Sequence, residues 1–249
     1  MNKNLRRETF RCTSHRCRKE VSLRIGTFFY GSRLKTTQIL LMGYLWLFKM
    51  PVDGFKKMTG HGSEAACAFR KHFEHLTACA VTAESCVIGG EGIIVEIDEA
   101  KLGKRKYHRG HRVDGVWVVG GIERSPEKRV FVVPVEDRSA STLLDIIHRH
   151  VAPGSIVYTD CWRGYASVGQ EYQHHQVNHS LHFVDPSSGV HTNTIEGFWN
   201  GLKLQVRPRN RTKQGMDQRL LSLIWRRQNK NALWEGFLRA LSDIHYQYE

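Results

Sequence analysis

After Gly89-Gly90-Glu91-Gly92 the apolar residues stop recurring at helical spacing and begin to alternate, and this change of period constrains the fold more than any other feature of the 249-residue chain. Four residues of which three are glycine sustain neither helix nor strand, so a domain boundary is placed here. Beyond it, strands are predicted over 93–99, 116–123 and 129–136, a helix over 139–150, and strands over 156–160 and 173–179.

Three strands, a helix and two further strands form the order of a ribonuclease H-like α/β domain, a mixed sheet with flanking helices. From Thr192 the pattern is helical, interrupted at Pro208 and resumed over 216–230 and 232–246. The catalytic domain is therefore expected to run from 89 to 249.

Upstream, residues 1–32 are basic and short on helical periodicity, and a small, mainly helical region is expected over 33–88. One apolar helix is predicted over 36–49, and a short one from Pro51 to 58. Thr59-Gly60-His61-Gly62 makes a turn, and a third helix follows, capped by Ser63. That is helix-turn-helix spacing. In the last helix Ala66, Phe69, Phe73, Leu76 and Ala80 share one side, with Arg70, Lys71 and His72 outward, which suits DNA binding and equally suits an ordinary bundle helix.

Lys and Arg number 37 against 24 Asp and Glu, a formal charge of +13 that calls for a polyanionic partner, either nucleic acid or an acidic membrane. The first 90 residues hold 15 basic and 6 acidic side chains, the remainder 22 and 18, so the first third is the more electrostatic DNA-binding candidate. The longest strongly apolar run, 39–48, is half the roughly 20 residues a bilayer crossing needs, so no membrane partner is expected. Six scattered cysteines and no secretory signal point to a reducing, intracellular compartment: the nucleus in a eukaryote, the cytoplasm in a bacterium.

Within the second domain three acids hold positions that chemistry could use. On the first strand Ile94, Glu96 and Asp98 share a face, because strand side chains alternate. Asp160 ends the apolar strand Ile156-Val-Tyr-Thr-Asp160. On the helix after Thr192, Asn193, Glu196, Asn200 and Lys203 form a polar stripe beside the apolar Ile195, Phe198, Leu202 and Val206. Carboxylates are the hard oxygen donors that hold paired Mg²⁺ ions in phosphodiester chemistry.

The segments Val95-Glu-Ile-Asp-Glu99, Tyr158-Thr-Asp-Cys-Trp162 and His191-Thr-Asn-Thr-Ile-Glu-Gly-Phe-Trp199 resemble Merlin-type transposases and their bacterial insertion-sequence relatives, over most of residues 20–230. The resemblance implies that Asp98, Asp160 and Glu196 are catalytic and bind Mg²⁺ or Mn²⁺, and that Lys203 approaches the transposon end. Asn193 and His191 are secondary candidates. It also implies hydrolysis at terminal inverted repeats, then attack of the freed 3′-hydroxyl on target DNA, by a protein that oligomerises on double-stranded DNA.

Between the first two strands Lys101 to Arg112 holds six basic residues in twelve, so Lys104, Arg105, Lys106 and Arg109 are DNA-contact candidates, as is Arg207. Trp117, Trp162, Trp199, Trp225 and Trp234 have apolar neighbours, and core packing is expected for most. The Cys-x₄-Cys spacing of Cys12 and Cys17 is compatible with half of a four-ligand zinc site, and a partial zinc-ribbon-like segment is expected over 1–32. The resemblance leads one to expect a complete ribbon in a longer chain, so no tight zinc is expected here. Two other functions fit the same charge and acids: a retired transposase that binds DNA without cutting it, and another ribonuclease H-like nuclease.

Overall fold

The computed structural model describes residues 2–5, 7–103, 115–178, 181 and 183–244. In chain order the elements are β1 (Asn2–Asn4), β2 (Thr9–Arg11), β3 (Glu20–Ser22), α1 (Thr36–Leu47), α2 (Val52–Thr59), α3 (Ser63–Cys79), β4 (Ile88–Gly89), β5 (Ile94–Leu102), β6 (Val116–Glu123), β7 (Val130–Val135), α4 (Ala140–His150), β8 (Val151–Ala152), β9 (Ile156–Asp160), β10 (Gln173–Val177), α5 (Asn193–Gln205), α6 (Met216–Gln228) and α7 (Leu233–Asp243). They divide into two compact units, Met1–Ala80 with Asn229–Glu249, and Val81–Gln228.

In the first unit β1, β2 and β3 form an antiparallel sheet, with Thr9 opposite both Asn4 and Ser22. The basic segment expected to be short on helical periodicity holds a small meander. Aromatic rings fill the helical part: Phe28 stacks on Phe73 at 5.6 Å, and Phe237 meets Phe73 edge-on at 5.4 Å and Trp46 at 6.1 Å. Gly43 of α1 is where that ring lies, since a Cβ there would sit 2.4 Å from Phe237 Cε1.

Phe237 belongs to α7, which sequence order assigned to the catalytic domain and which instead packs on α1 and α3. Periodicity identifies the apolar face of a helix but not the surface that covers it. Ser63 is the first helical residue of α3, and Gly62 takes the capping position without a side chain.

In the second unit the sheet order is β10-β9-β5-β6-β7. β5, β6 and β7 are an antiparallel meander, β9 runs parallel to β5, and β10 parallel to β9. This mixed sheet with flanking helices is compatible with a ribonuclease H-like domain. Alternation sends Ala100, Leu102, Val118 and Val132 to one face, under Ile195, Trp199 and Leu202 of α5 and Leu220 and Ile224 of α6. Val95, Ile97, Val119, Phe131 and Val157 face the other way, onto Leu143, Ile146 and Ile147 of α4.

Gly120 and Gly121 let the middle strand be sandwiched this closely. A Cβ on Gly120 would stand 2.6 Å from the Trp199 ring, and one on Gly121 2.4 Å from Phe131. The two absent side chains admit one large ring on each face.

Candidate active site

β5 and β9 pair in parallel with Glu96 opposite Tyr158, and the same offset carried two residues on brings Asp98, midway along β5, level with Asp160, the last residue of β9. Both acids are on the face covered by α5. The Trp162 backbone N–H donates to Asp160 Oδ1 at 2.9 Å, and the Trp199 indole N–H donates to Asp98 Oδ2 at 3.0 Å. Among the described residues neither carboxylate has an ion-pair partner.

The Asp98 carboxyl is pushed up to about 6. Burial is the main cause; the Glu99 backbone opposes it, Asp160 adds to it, Trp199 opposes it and Glu196 adds to it. Glu196, exposed on the first turn of α5, is therefore near enough to be felt. Among the described residues, however, no three His, Cys, Asp or Glu side chains converge closely enough to hold one ion. The structure brings Asp98 and Asp160 together and leaves Glu196 nearby.

These donors suit a hard divalent cation. They are all carboxylates, and the two central ones carry charge that no cationic side chain among the described residues neutralises.

Glu96, two residues before Asp98 and fully buried, holds the start of α5 in place. Its Oε2 accepts the Ile195 backbone N–H at 2.9 Å, and its Oε1 accepts from Arg124 Nε at 2.6 Å. A carboxylate at a helix N-terminus complements both the free amides and the dipole. Arg124 continues to His191, donating through Nη2 to the carbonyl oxygen and to ring Nδ1, each at 2.8 Å. The Asn193 backbone N–H also points at Nδ1, 3.3 Å away. With Nδ1 accepting, Nε2 is the ring nitrogen that carries the proton.

On the opposite face Glu99 is pushed up to about 7, by burial, then Asp98 and Asp160, against the pull of Arg138 and Tyr165. Glu99 Oε1 and the Tyr165 hydroxyl are both buried, and although they are near neighbours they do not meet hydrogen-bond geometry.

The other candidates are spread out. Lys203 is half-buried on α5, its carbonyl oxygen accepting from Arg211; Asn193 and Arg207 are exposed. Lys104, Arg105, Lys106 and Arg109 lie outside the described residues. Cys12 and Cys17 flank one turn between β2 and β3, where the Cys17 N–H donates to Ser14 O at 3.2 Å and the Cys12 N–H to Lys19 O at 2.8 Å. Among the described residues, no third ligand joins them. Hydrogen bonding to the Ser14 backbone, then to Cys17, lowers the Cys12 pKa.

Glu96, Arg124 and Trp199 were not singled out as site residues. Glu96 carries the available signal, an acid on the same strand face as Asp98 among apolar residues.

A mixed sheet bearing acids on adjacent parallel strands, under a helix bearing a third, defines a frame compatible with the catalytic domain of transposases. Residues 88–214 match the ISXO2-like transposase domain, and the chain belongs to that family. A Haemophilus influenzae protein described as an uncharacterized transposase-like protein is 36% identical over 103 residues, 41% of this chain and 82% of that one. No helix among the described residues is long and apolar enough to cross a membrane.

Proposed function

We propose that the protein is a Merlin-type DNA transposase that cleaves at the terminal inverted repeats of its element and transfers the freed strand into target DNA. The observation that carries this reading is the placement of Asp98 and Asp160 on adjacent parallel strands, each two residues beyond the Glu96–Tyr158 pair, without ion-pair partners among the described residues, beside Glu196. Family membership supports the same reading.

Asp98, Asp160 and Glu196 would hold Mg²⁺ or Mn²⁺, which supplies charge stabilisation at the phosphate and an activated hydroxyl. The chain's own part is placement. Trp199 and the Trp162 backbone orient the two aspartates, and Glu96 seats the helix that carries Glu196. His191 presents Nε2–H as a donor, and Lys203 and Arg207 contribute positive charge along and after α5. Both reaction steps are in-line displacements at phosphorus, water and then a 3′-hydroxyl being the nucleophiles, so no covalent protein intermediate is required. Duplex DNA is the partner, and the active form is an oligomer assembled on it.

The experiment is cleavage of a plasmid carrying the coding region with its flanking DNA by the full chain, in Mg²⁺ or Mn²⁺ and in chelator. Cation-dependent cuts at repeated flanking sequences, lost in Asp98→Asn, Asp160→Asn and Glu196→Gln while DNA binding persists, are expected. Binding without cutting would identify a retired transposase, and preferential cutting of RNA–DNA hybrid another ribonuclease H-like nuclease.

A further inference from the structure

Trp117 and Trp162 differ from the buried Trp199 and Trp225: both are half-exposed and both are covered by cations. Arg138, in the loop between β7 and α4, lies over the Trp117 ring at 3.8 Å and over Trp162 at 4.9 Å. Lys101, paired with Trp117 across β5 and β6, lies 5.4 Å from the same ring, and Arg163 lies 5.8 Å from Trp162. These groups form a strip from the end of β5 to the residues just after Asp160.

Four other cations of this unit are neutralised by acids. Arg124 pairs with Glu96, Arg129 with Glu123, Arg149 with Asp145 and Lys213 with Glu136. Among the described residues Lys101, Arg138 and Arg163 have no ion-pair partner and no hydrogen-bond acceptor. A guanidinium held over an indole face still has N–H groups to donate, and its planar fork matches the oxygens of a phosphate bidentately. The two rings therefore hold Arg138 next to Trp162, two residues after Asp160.

We infer that Arg138, framed by Trp117 and Trp162 and flanked by Lys101 and Arg163, is a phosphate clamp for the DNA backbone next to the phosphate being cut. The inference rests on the reading of the chain as a DNA-cutting enzyme, which supplies the polyanion. It assigns to these five side chains a role in binding that the acid triad does not need.

The test measures binding of a mixed-sequence DNA duplex to the full-length protein across a range of salt, with cleavage and thermal unfolding measured on the same preparations. Arg138→Ala is expected to bind about tenfold more weakly, with the slope of log affinity against log salt reduced by about one. Arg138→Lys keeps the charge and hence the slope, yet recovers only part of the affinity, because the planar fork is gone. Arg163→Ala, at an exposed position, is expected to lose slope too. Trp117→Leu is expected to weaken binding with the slope kept.

Wild-type affinity and slope in both Arg138→Ala and Arg163→Ala, from a chain that binds and cuts, would overturn the clamp alone. Should the wild-type chain bind no duplex DNA, the clamp and the proposed function fail together. Persistent cutting by Asp98→Asn removes the acid site and leaves the clamp standing.

Discussion

The Trp199 indole reaches Asp98 Oδ2 at 3.0 Å through the space left by Gly120, the residue that pairs with Asp98 across β5 and β6. A ring from α5, a carboxylate and a missing side chain thus form one unit, and the packing of the helix is also the orientation of the acid.

Gly120→Ala is expected to force Trp199 away, because the new Cβ would stand 2.6 Å from the ring. Overpacking of this kind costs about 1–3 kcal/mol, and cleavage should fall further than stability because Asp98 loses its donor. Trp199→Phe separates the effects: it keeps most of the packing and removes one hydrogen bond, for about 1 kcal/mol. Chemical denaturation beside a cleavage assay measures both. A Gly120→Ala protein as stable and active as wild type would show that the ring does not need this space.

Glu96→Ala is expected to be among the most destabilising substitutions in the second unit. It leaves Arg124 without its carboxylate and the Ile195 N–H without its acceptor, inside the protein. Breaking a buried pair from one side costs about 3–5 kcal/mol. Glu96→Gln retains an acceptor and should cost less than half as much. Equal losses in the two variants would mean that Glu96 matters through its volume rather than through its bonds.

Much of this unit was legible from period alone. The strands over 116–123 and 156–160 match β6 and β9 end to end, since alternation bounded by turn residues is a local signal. Asp98, Asp160 and Glu196 lie on the two strands and the helix that periodicity predicts, and the resemblance is what singled them out. What alternation could not supply was the second partner of each group. That Glu96 seats α5 from 99 residues away, and that Trp117 carries a cation instead of filling a core, are facts about pairing in space.

The placement of α7 gives a third expectation. Phe237→Ala removes a fully buried ring that meets Phe73 and Trp46, at about 3–5 kcal/mol. Amide hydrogen exchange should show protection lost in α1 and α3 and retained in β5 to β7. Loss confined to β5, β6 and β7 would return α7 to the catalytic unit, where sequence order had put it.

The fourth concerns pH in the absence of divalent cations. Asp98 at about 6 and Glu99 at about 7 both stand above their ordinary values of 3.8 and 4.5, so the folded chain binds protons more tightly than the unfolded one. A raised carboxyl contributes stability that is full below the unfolded pKa and is lost as pH rises through the folded one. Stability should therefore fall as pH climbs from about 4 to 7, Asp98 alone accounting for about 2 kcal/mol. Asp98→Asn cannot ionise and should lose that part of the slope, unfolding at a higher temperature than wild type at neutral pH. Mg²⁺ or Mn²⁺ should raise the wild-type unfolding temperature at neutral pH and leave the Asp98→Asn protein little changed, because the ion compensates the charge that the mutant no longer has. Calorimetric scans at several pH values, with and without the ion, decide it. A wild-type protein whose stability rises from pH 4 to 7 as steeply as that of Asp98→Asn would mean that Asp98 is not held in the protonated form by its surroundings.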